Sequence, residues 1–129
     1  MNPLPTQRGL YHPRLMQRLT ADAGNHEHPI VAVDGDRDIA AGVKIIHTPG
    51  HTPGTSAVLV QTSGGVFAIA SDTVALQSSL RGKSSEDWCP PGIHVNLADC
   101  YSSMRRLAQE SAIVLPSHDD AVFARETYQ

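Results

Sequence analysis

Apolar residues in this chain fall into short runs that glycine, proline and charged residues interrupt, a pattern more typical of strands than of long helices. Three such runs in the middle of the chain predict strands over Val43–Thr48, Ser56–Thr62 and Val66–Ser71. Because the connections are short, and Ser-Gly-Gly joins the last two, we expect an antiparallel meander. The second and third strands are apolar almost throughout, which indicates burial on both faces.

A helix follows in the C-terminal third of the chain. Asn96 is a good N-cap, and apolar residues recur at helical spacing from Leu97 to about Glu110. They are Leu97, Cys100, Tyr101, Met104, Leu107 and Ala108. Ala112–Leu115 predicts a last short strand that Pro116 ends. Before the meander we predict a short helix over His12–Ala23, a strand over Ile30–Val33 and a turn-rich cluster over Asp34–Asp38. Val74–Gly92 is a long loop, and long loops in compact domains are often functional.

The composition is that of one globular domain. The chain has 129 residues, 40% hydrophobic and 18% charged, with a net charge of -3. These values argue against disorder and give no electrostatic reason to expect a nucleic acid or a membrane as partner. Cys89 and Cys100 fit neither a disulfide framework nor a zinc motif, so we expect reduced thiols and a cytoplasmic location.

Seven histidines are many for this length and raise the prospect of a metal or acid–base site. Three polar residues stand where predicted strands end: His51 after the first, Asp72 after the third and His118 after the last. Strand ends are rigid and can converge on one rim of a sheet. Two imidazoles and a carboxylate suit Zn²⁺, Mn²⁺ or Fe²⁺. Ordinary turn residues would give the same positions, so both interpretations stay open on the residues alone.

The turn that carries His51 reads Thr-Pro-Gly-His-Thr-Pro-Gly, from Thr48 to Gly54. Its prolines restrict φ, and we expect Gly50 and Gly54 to adopt backbone conformations that other residues resist. Such a turn would hold one histidine in a fixed place.

This turn, the following apolar strand, the Ala-Ser-Asp that ends at Asp72 and the Leu-Pro-Ser-His-Asp that contains His118 together resemble metallo-β-lactamase-fold hydrolases. Within them, the chain is most similar to the N-acyl-homoserine lactonase group. The resemblance implies an α+β fold, half of an αββα sandwich with a mostly antiparallel meander plus helices. It also implies two metal ions, zinc in most cases, that activate water for attack on a carbonyl, with Asp72 as the catalytic, bridging carboxylate and His51 and His118 as further ligands. Asp119 would support His118. Apart from the resemblance, the position of His94 beside Pro90 and Pro91 in a loop fits either a residue that lines a substrate pocket or an ordinary loop histidine.

The His-x-His-x-Asp-His motif of that family is not in this sequence. Its closest imitation, His26–Val31, has isoleucine and valine where aspartate and histidine are needed. We therefore expect the chain to match the C-terminal half of a longer protein, as a single partial domain: residues 1–24 as an extension with a short helix, and residues 30–123 as the family-like region. With three of the usual seven ligands, it is expected to bind one metal weakly and to have little or no hydrolase activity by itself. Ala75 stands where many lactonases have tyrosine, which weakens the expectation of a lactone substrate.

Two function classes follow. The first is a metal-dependent hydrolase that acts on a small ester or lactone. The second is a non-catalytic half-domain that serves as an assembly or interaction module. In either case half a sandwich leaves an apolar sheet face in water, so we expect a homo-oligomer or pairing with an N-terminal half.

Overall fold

A computed structural model of the chain describes residue 31 and residues 33–129. Contacts between residues divide the chain into two units, Met1–Val33 and Asp34–Gln129, and every element described below belongs to the second. The predicted helix over His12–Ala23 lies outside the described residues, as do Ile30 and Ala32 of the predicted strand over Ile30–Val33.

Five strands form one sheet in chain order, β1-β2-β3-β4-β5. Their bounds are Arg37–Ala40, Val43–His47, Ser56–Thr62, Gly65–Ile69 and Ile113–Leu115. Neighbouring strands from β1 to β4 are antiparallel, and β5 pairs with β4 in parallel. The predicted meander is confirmed, with β2, β3 and β4 close to their predicted bounds.

Strand β1 corrects one prediction. Arg37 and Asp38 belong to the predicted turn-rich cluster, where charged residues and glycine dominate, yet they pair with β2. All four residues of β1 are exposed. An edge strand needs only one hydrogen-bonded neighbour, so a polar sequence can form it without an apolar pattern.

Helix α1, Leu97–Glu110, begins at the predicted N-cap, where the Asn96 side chain accepts hydrogen bonds from the amides of Ala98 and Asp99. It packs on one face of the sheet and closes the hydrophobic core. The core residues are Ile46, Ala57, Leu59, Ala68, Ala70, Val74, Met104, Leu107 and Val114. Cys100 is buried as predicted, whereas Leu97 and Ala108 are exposed and Ser103 is buried.

The prediction that β3 and β4 are buried on both faces is wrong for β3 and right for the middle of β4, where Phe67 and Ala68, on opposite faces, are 3% and 0% exposed. In β3, Ala57 and Leu59 are buried under α1, whereas Val58 and Val60 are only partly buried. Ile69, which pairs with Val58, is 50% exposed. We call the face that carries Val58, Val60, Phe67 and Ile69 the outer face; Phe67, which pairs with Val60, is covered there by Tyr128.

The segment between β4 and α1 contains three short 3-10 helices, Ser71–Thr73, Gln77–Leu80 and Ser85–Asp87. None of the helices in the described residues is both long and apolar enough to cross a membrane.

Candidate metal centre

The turn after β2 is built around Gly50. Its φ of 136° lies in a region that L side chains rarely adopt, and a Cβ there would lie 2.5 Å from the amide nitrogen of Cys100 in the first turn of α1. The Gly50 carbonyl accepts hydrogen bonds from the amides of Val95 and Asn96 at 2.8 and 3.1 Å. The turn is therefore locked against the start of α1. Gly54 does not share this role: it has no positive φ and open space around it, which corrects the sequence expectation.

The backbone of the loop that precedes α1 orients the His51 ring. His51 Nδ1 lies 2.7 Å from the carbonyl oxygen of Ile93. Because a carbonyl only accepts, Nδ1 carries the hydrogen and Nε2 of the neutral ring has the free lone pair. That Nε2 lies 3.6 Å from Asp72 Oδ2. The tautomer is the one in which His51 offers Nε2 as a ligand.

Asp72 lies between the two histidines. The residue before it, Ser71, has a φ of 49°, a left-handed conformation that is uncommon for serine. Asp72 Oδ1 is 2.9 Å from His118 Nε2 and accepts a hydrogen bond from the Ser117 hydroxyl at 3.2 Å. Each carboxylate oxygen therefore faces a different imidazole.

The parallel pairing of β4 with β5 explains why His118 reaches this place. Carboxyl ends of parallel strands meet at one edge of a sheet, and the Ala70 amide donates to the Leu115 carbonyl at 2.9 Å just beyond the paired residues. The His118 amide then donates to the Ala75 carbonyl at 2.9 Å. The three side chains singled out from the sequence thus converge from three separate strand ends.

The donor set fits a divalent ion. Donors bound to one zinc at about 2.1 Å lie about 3.4 Å apart, close to the 2.9 and 3.6 Å separations found at Asp72. Within the described residues, no group of three or more His, Cys, Asp or Glu side chains forms a ready-made metal site. The direct hydrogen bond between His118 and Asp72 occupies the space that an ion would fill.

A cavity of about 230 Å³ opens beside these residues. Its walls are His51, Asp72, Ala75, Pro91, Gly92, Ile93 and His118. The Ile93 side chain is 68% exposed. His94, the other residue predicted near the pocket, does not line this cavity; its Nδ1 lies 2.8 Å from the Pro91 carbonyl oxygen.

No family model matches the chain. An N-acyl homoserine lactonase of a Bacillus species is 30% identical over 125 residues, which cover 83% of this chain and 47% of the relative. The N-acyl homoserine lactonase of Bacillus cereus is 30% identical over 92 residues, 67% of this chain and 34% of the relative. The chain thus spans about half the length, or less, of the curated relatives it matches.

Solved structures give the fold. An N-acyl homoserine lactone hydrolase with the product N-hexanoyl-L-homoserine at its catalytic metal centre matches with a TM-score of 0.58 and 22% identity, over 74% of this chain and 38% of that one. A probable metal-dependent hydrolase from Staphylococcus aureus matches with a TM-score of 0.56 and 15% identity, over 75% of this chain and 35% of that one. The chain has the fold of part of a metallo-β-lactamase-type lactonase.

Within this lactonase-like fold, Asp119 supports the segment that carries His118. Its carboxylate accepts hydrogen bonds from the amides of Gln77, at 2.8 Å, and Ala121, at 3.0 Å. These two backbone donors hold the pKa of the Asp119 carboxyl below its usual range. The side chain thereby ties the residues after β5 to the loop after β4.

Sequence reasoning did not find three contributors to this site. They are the Ile93 carbonyl, the Ser117 hydroxyl and Ser103, whose hydroxyl donates to the Pro49 carbonyl at 2.6 Å. The Ile93 carbonyl is a backbone group that every residue type has, so the sequence does not indicate its role. For Ser103 the only signal in the sequence is a small polar residue on the side of α1 that packs against the turn.

Cys100, by contrast, has the structural role that the sequence indicated. It is 2% exposed, and burial raises the pKa of its thiol, which keeps it protonated and unreactive.

Proposed function

We propose that the chain provides part of the metal centre of a hydrolase, with His51, Asp72 and His118 as ligands and Asp72 as the central carboxylate. One observation carries the proposal: beside a cavity, the Asp72 carboxylate lies 2.9 Å from the His118 ring and 3.6 Å from the His51 ring, and the three side chains come from three separate strand ends. Their chemistry, two imidazoles and a carboxylate, is that of zinc, manganese or iron sites.

A divalent ion bound there, for which we propose zinc, would supply Lewis-acid activation of water and of a substrate carbonyl. The residues of the chain would hold and orient the ligands of that ion. The Ile93 carbonyl holds the His51 ring so that Nε2 faces Asp72. The two Asp72 oxygens face different imidazoles, which allows this carboxylate to serve one ion or to lie between two.

For the substrate we propose a lactone or another small carboxylic ester. The curated relatives are lactonases, and the cavity beside the three ligands has apolar walls at Ala75, Pro91 and Ile93. These walls would hold the apolar part of a substrate while its carbonyl faces the three ligands. Since Ala75 replaces the tyrosine expected from the resemblance, we propose esters beside lactones as substrates.

The outer face of the sheet supports a further proposal, that the chain forms a homo-oligomer or pairs with an N-terminal half. Val58, Val60 and Ile69 are apolar and only partly buried there. The same observation favours the second function class, a non-catalytic interaction module. A cytoplasmic location also belongs to the proposal, because Cys89 and Cys100 are both free thiols.

Zinc binding tests the proposed centre. The chain, stripped of metal with a chelator, is titrated with Zn²⁺ by calorimetry, and its melting temperature is measured with and without the ion. We expect binding and a higher melting temperature, because a ligand at 100 times its Kd stabilises the folded state by about 2.7 kcal/mol. His51→Ala and His118→Ala should each weaken Zn²⁺ binding by about tenfold or more.

His94→Ala is the matched control, since it removes a histidine next to the same loop but outside the cavity wall, and it should bind as the unaltered chain does. Hydrolysis of a panel of lactones and esters by the zinc-loaded chain is expected to be slow, because three ligands hold one ion with few neutralising charges. Absence of any zinc effect on the unaltered chain would reject the metal centre and favour the interaction module.

A further inference from the structure

Two buried threonines lie next to the candidate ligands and contact each other. Thr48 is 0% exposed and Thr73 is 3% exposed. The Thr73 hydroxyl donates to Thr48 Oγ1 at 2.7 Å. Thr73 directly follows Asp72 in the chain, and Thr48 opens the turn that carries His51. The hydroxyl pair therefore joins the segment of one ligand to that of another.

The sheet does not make this connection by itself. The ligands follow β2 and β4, and β3 lies between these two strands. Backbone pairing therefore connects β2 to β4 only through β3, and a small shear of β2 or β4 against β3 would move His51 relative to Asp72. The Thr48–Thr73 bond spans the gap directly, between residues 25 apart in sequence.

Each threonine is also fixed on its own side. The Thr48 amide donates to the Thr55 carbonyl at 2.9 Å, across the base of the turn. The Thr73 amide donates to the Ala70 carbonyl at 3.2 Å and closes the short 3-10 helix that contains Asp72. Since both side chains are anchored through their backbones, the bond between them transmits position from one segment to the other.

We propose that the Thr48–Thr73 hydroxyl pair is a positioning contact that holds Asp72 at ligand distance from His51. The proposal rests on the metal centre proposed above. Apolar residues of the same size would fill this buried space equally well, so packing does not explain two hydroxyls here. A buried hydroxyl must also have a hydrogen-bond partner, and each threonine supplies one for the other.

The test measures the Zn²⁺ affinity of the whole chain by calorimetry for Thr73→Val and Thr48→Val, which keep the side-chain shape and remove one hydroxyl. We expect the Kd to rise about tenfold, as for other residues that orient metal ligands. Thr73→Ser and Thr48→Ser retain the hydroxyl and should restore the Kd to within about twofold of the unaltered value.

Thr62→Val is the matched control. Thr62 lies at the opposite end of β3 from the ligands, and its hydroxyl donates to the Gly65 carbonyl at 3.0 Å in the β3–β4 hairpin. Its loss should lower the urea midpoint of unfolding without changing the Kd for Zn²⁺. If Thr62→Val weakens zinc binding as much as Thr73→Val does, the effect comes from general stability and the positioning role is rejected.

Thr73→Val, which leaves the Thr48 hydroxyl unpaired, could fail to fold, whereas in Thr48→Val the Thr73 hydroxyl keeps the Thr48 carbonyl as an acceptor at 3.5 Å. The double variant Thr48→Val/Thr73→Val removes both groups and leaves no buried hydroxyl without a partner, so it keeps the test possible. A folded double variant with an unchanged Kd would overturn the inference while the metal centre stands. An unaltered chain that binds no Zn²⁺ would overturn both.

Discussion

At Gly50 a single missing side chain decides how closely the His51 turn approaches helix α1. The backbone has a φ of 136°, and the site of a Cβ lies 2.5 Å from the Cys100 amide nitrogen and 2.6 Å from its Sγ. Neither group can move far, because both belong to Cys100, which is buried in the first turn of the helix. No residue other than glycine fits without displacing one of the two segments.

Gly50→Ala is expected to lower the free energy of unfolding by about 2–4 kcal/mol, since it combines backbone strain with overpacking. It should also weaken Zn²⁺ binding, because the His51 turn would move away from Asp72. Urea unfolding followed by circular dichroism measures the first effect. Gly54→Ala, in the same turn but in open space, is the control and should change stability by less than about 1 kcal/mol. Equal losses for both variants would contradict the role assigned to Gly50.

The residue scale also shows how far the sequence predicted the site. His51, Asp72 and His118 were found because each lies within three residues of the end of a predicted strand, so their positions depended only on local pattern. Their role as metal ligands stays a prediction. The Ile93 carbonyl that orients His51 could not be found, since every residue has a carbonyl and only the path of the loop decides which one reaches the ring.

Among the elements, an ionic contact joins the start of the sheet to α1. Asp36 accepts hydrogen bonds from the His47 amide, at 2.9 Å, and from the Arg106 guanidinium, whose Nη1 lies 3.0 Å from Asp36 Oδ1. Arg106 also donates to Glu110 and to the His47 carbonyl. The Arg106 guanidinium, and after it the His47 amide, hold the pKa of the Asp36 carboxyl well below its usual range.

The pH dependence of stability follows from the sign of that shift. A carboxyl with a depressed pKa in the folded state stabilises the protein above its unfolded pKa of about 3.9, and this contribution is lost as the pH falls further. Asp36→Asn should therefore lower the free energy of unfolding by about 1 kcal/mol at pH 7 and flatten the decline below pH 4. Urea midpoints measured from pH 3 to pH 7 check this. Asp38→Asn, on exposed β1, is the control; a similar loss there would contradict a specific role for Asp36.

The N-terminus of α1 permits a second test at this scale. The Asn96 side chain caps the helix, while the Asn96 amide donates to the Gly50 carbonyl. Asn96→Ala should cost about 1 kcal/mol through loss of the cap, and Asn96→Asp should retain most of the stability. Thermal unfolding followed at 222 nm measures both. Equal melting temperatures for alanine and aspartate would show that the cap contributes nothing.

Elements with a strong local pattern were predicted well. Helix α1 combines an N-cap with apolar residues at helical spacing, and β2, β3 and β4 are apolar runs between turn residues. Strand β1 was not predicted, since its four exposed residues have no apolar period. The buried positions of α1 were predicted only in part. Ser103 is a polar residue, so its type does not indicate burial, but its contact with the His51 turn buries it.

At the scale of the whole molecule, the outer face of the sheet is the feature that most affects behaviour in solution. Ile69 is 50% exposed and Ile113 is 38% exposed, and both belong to strands whose other face lies in the core. On the same face, Tyr128 packs edge to face on the buried Phe67, with ring centroids 5.8 Å apart, so the C-terminal segment covers part of this face. An apolar face of this kind is typical of an interface.

If the outer face mediates self-association, light scattering at micromolar concentration should report more than one chain per particle. Ile69→Lys should shift the particle towards a monomer, because a buried ammonium without a partner is costly at an interface. Phe123→Lys, at a residue 84% exposed in the C-terminal 3-10 helix, is the control and should leave the mass unchanged. A monomer for the unaltered chain at the same concentration would reject the self-association.

The sequence by itself determined the local elements of this protein: the meander, the capped helix and the placement of His51, Asp72 and His118 at strand ends. These depend on propensity and periodicity within a few residues. Only the tertiary structure decided that β5 pairs with β4 in parallel, that Gly50 and not Gly54 needs to be glycine, and that Thr48 meets Thr73. Such contacts join residues far apart in sequence, so no local pattern specifies them. They form when the sheet and α1 pack, which brings backbone close to backbone at Gly50 and pairs buried polar groups with one another.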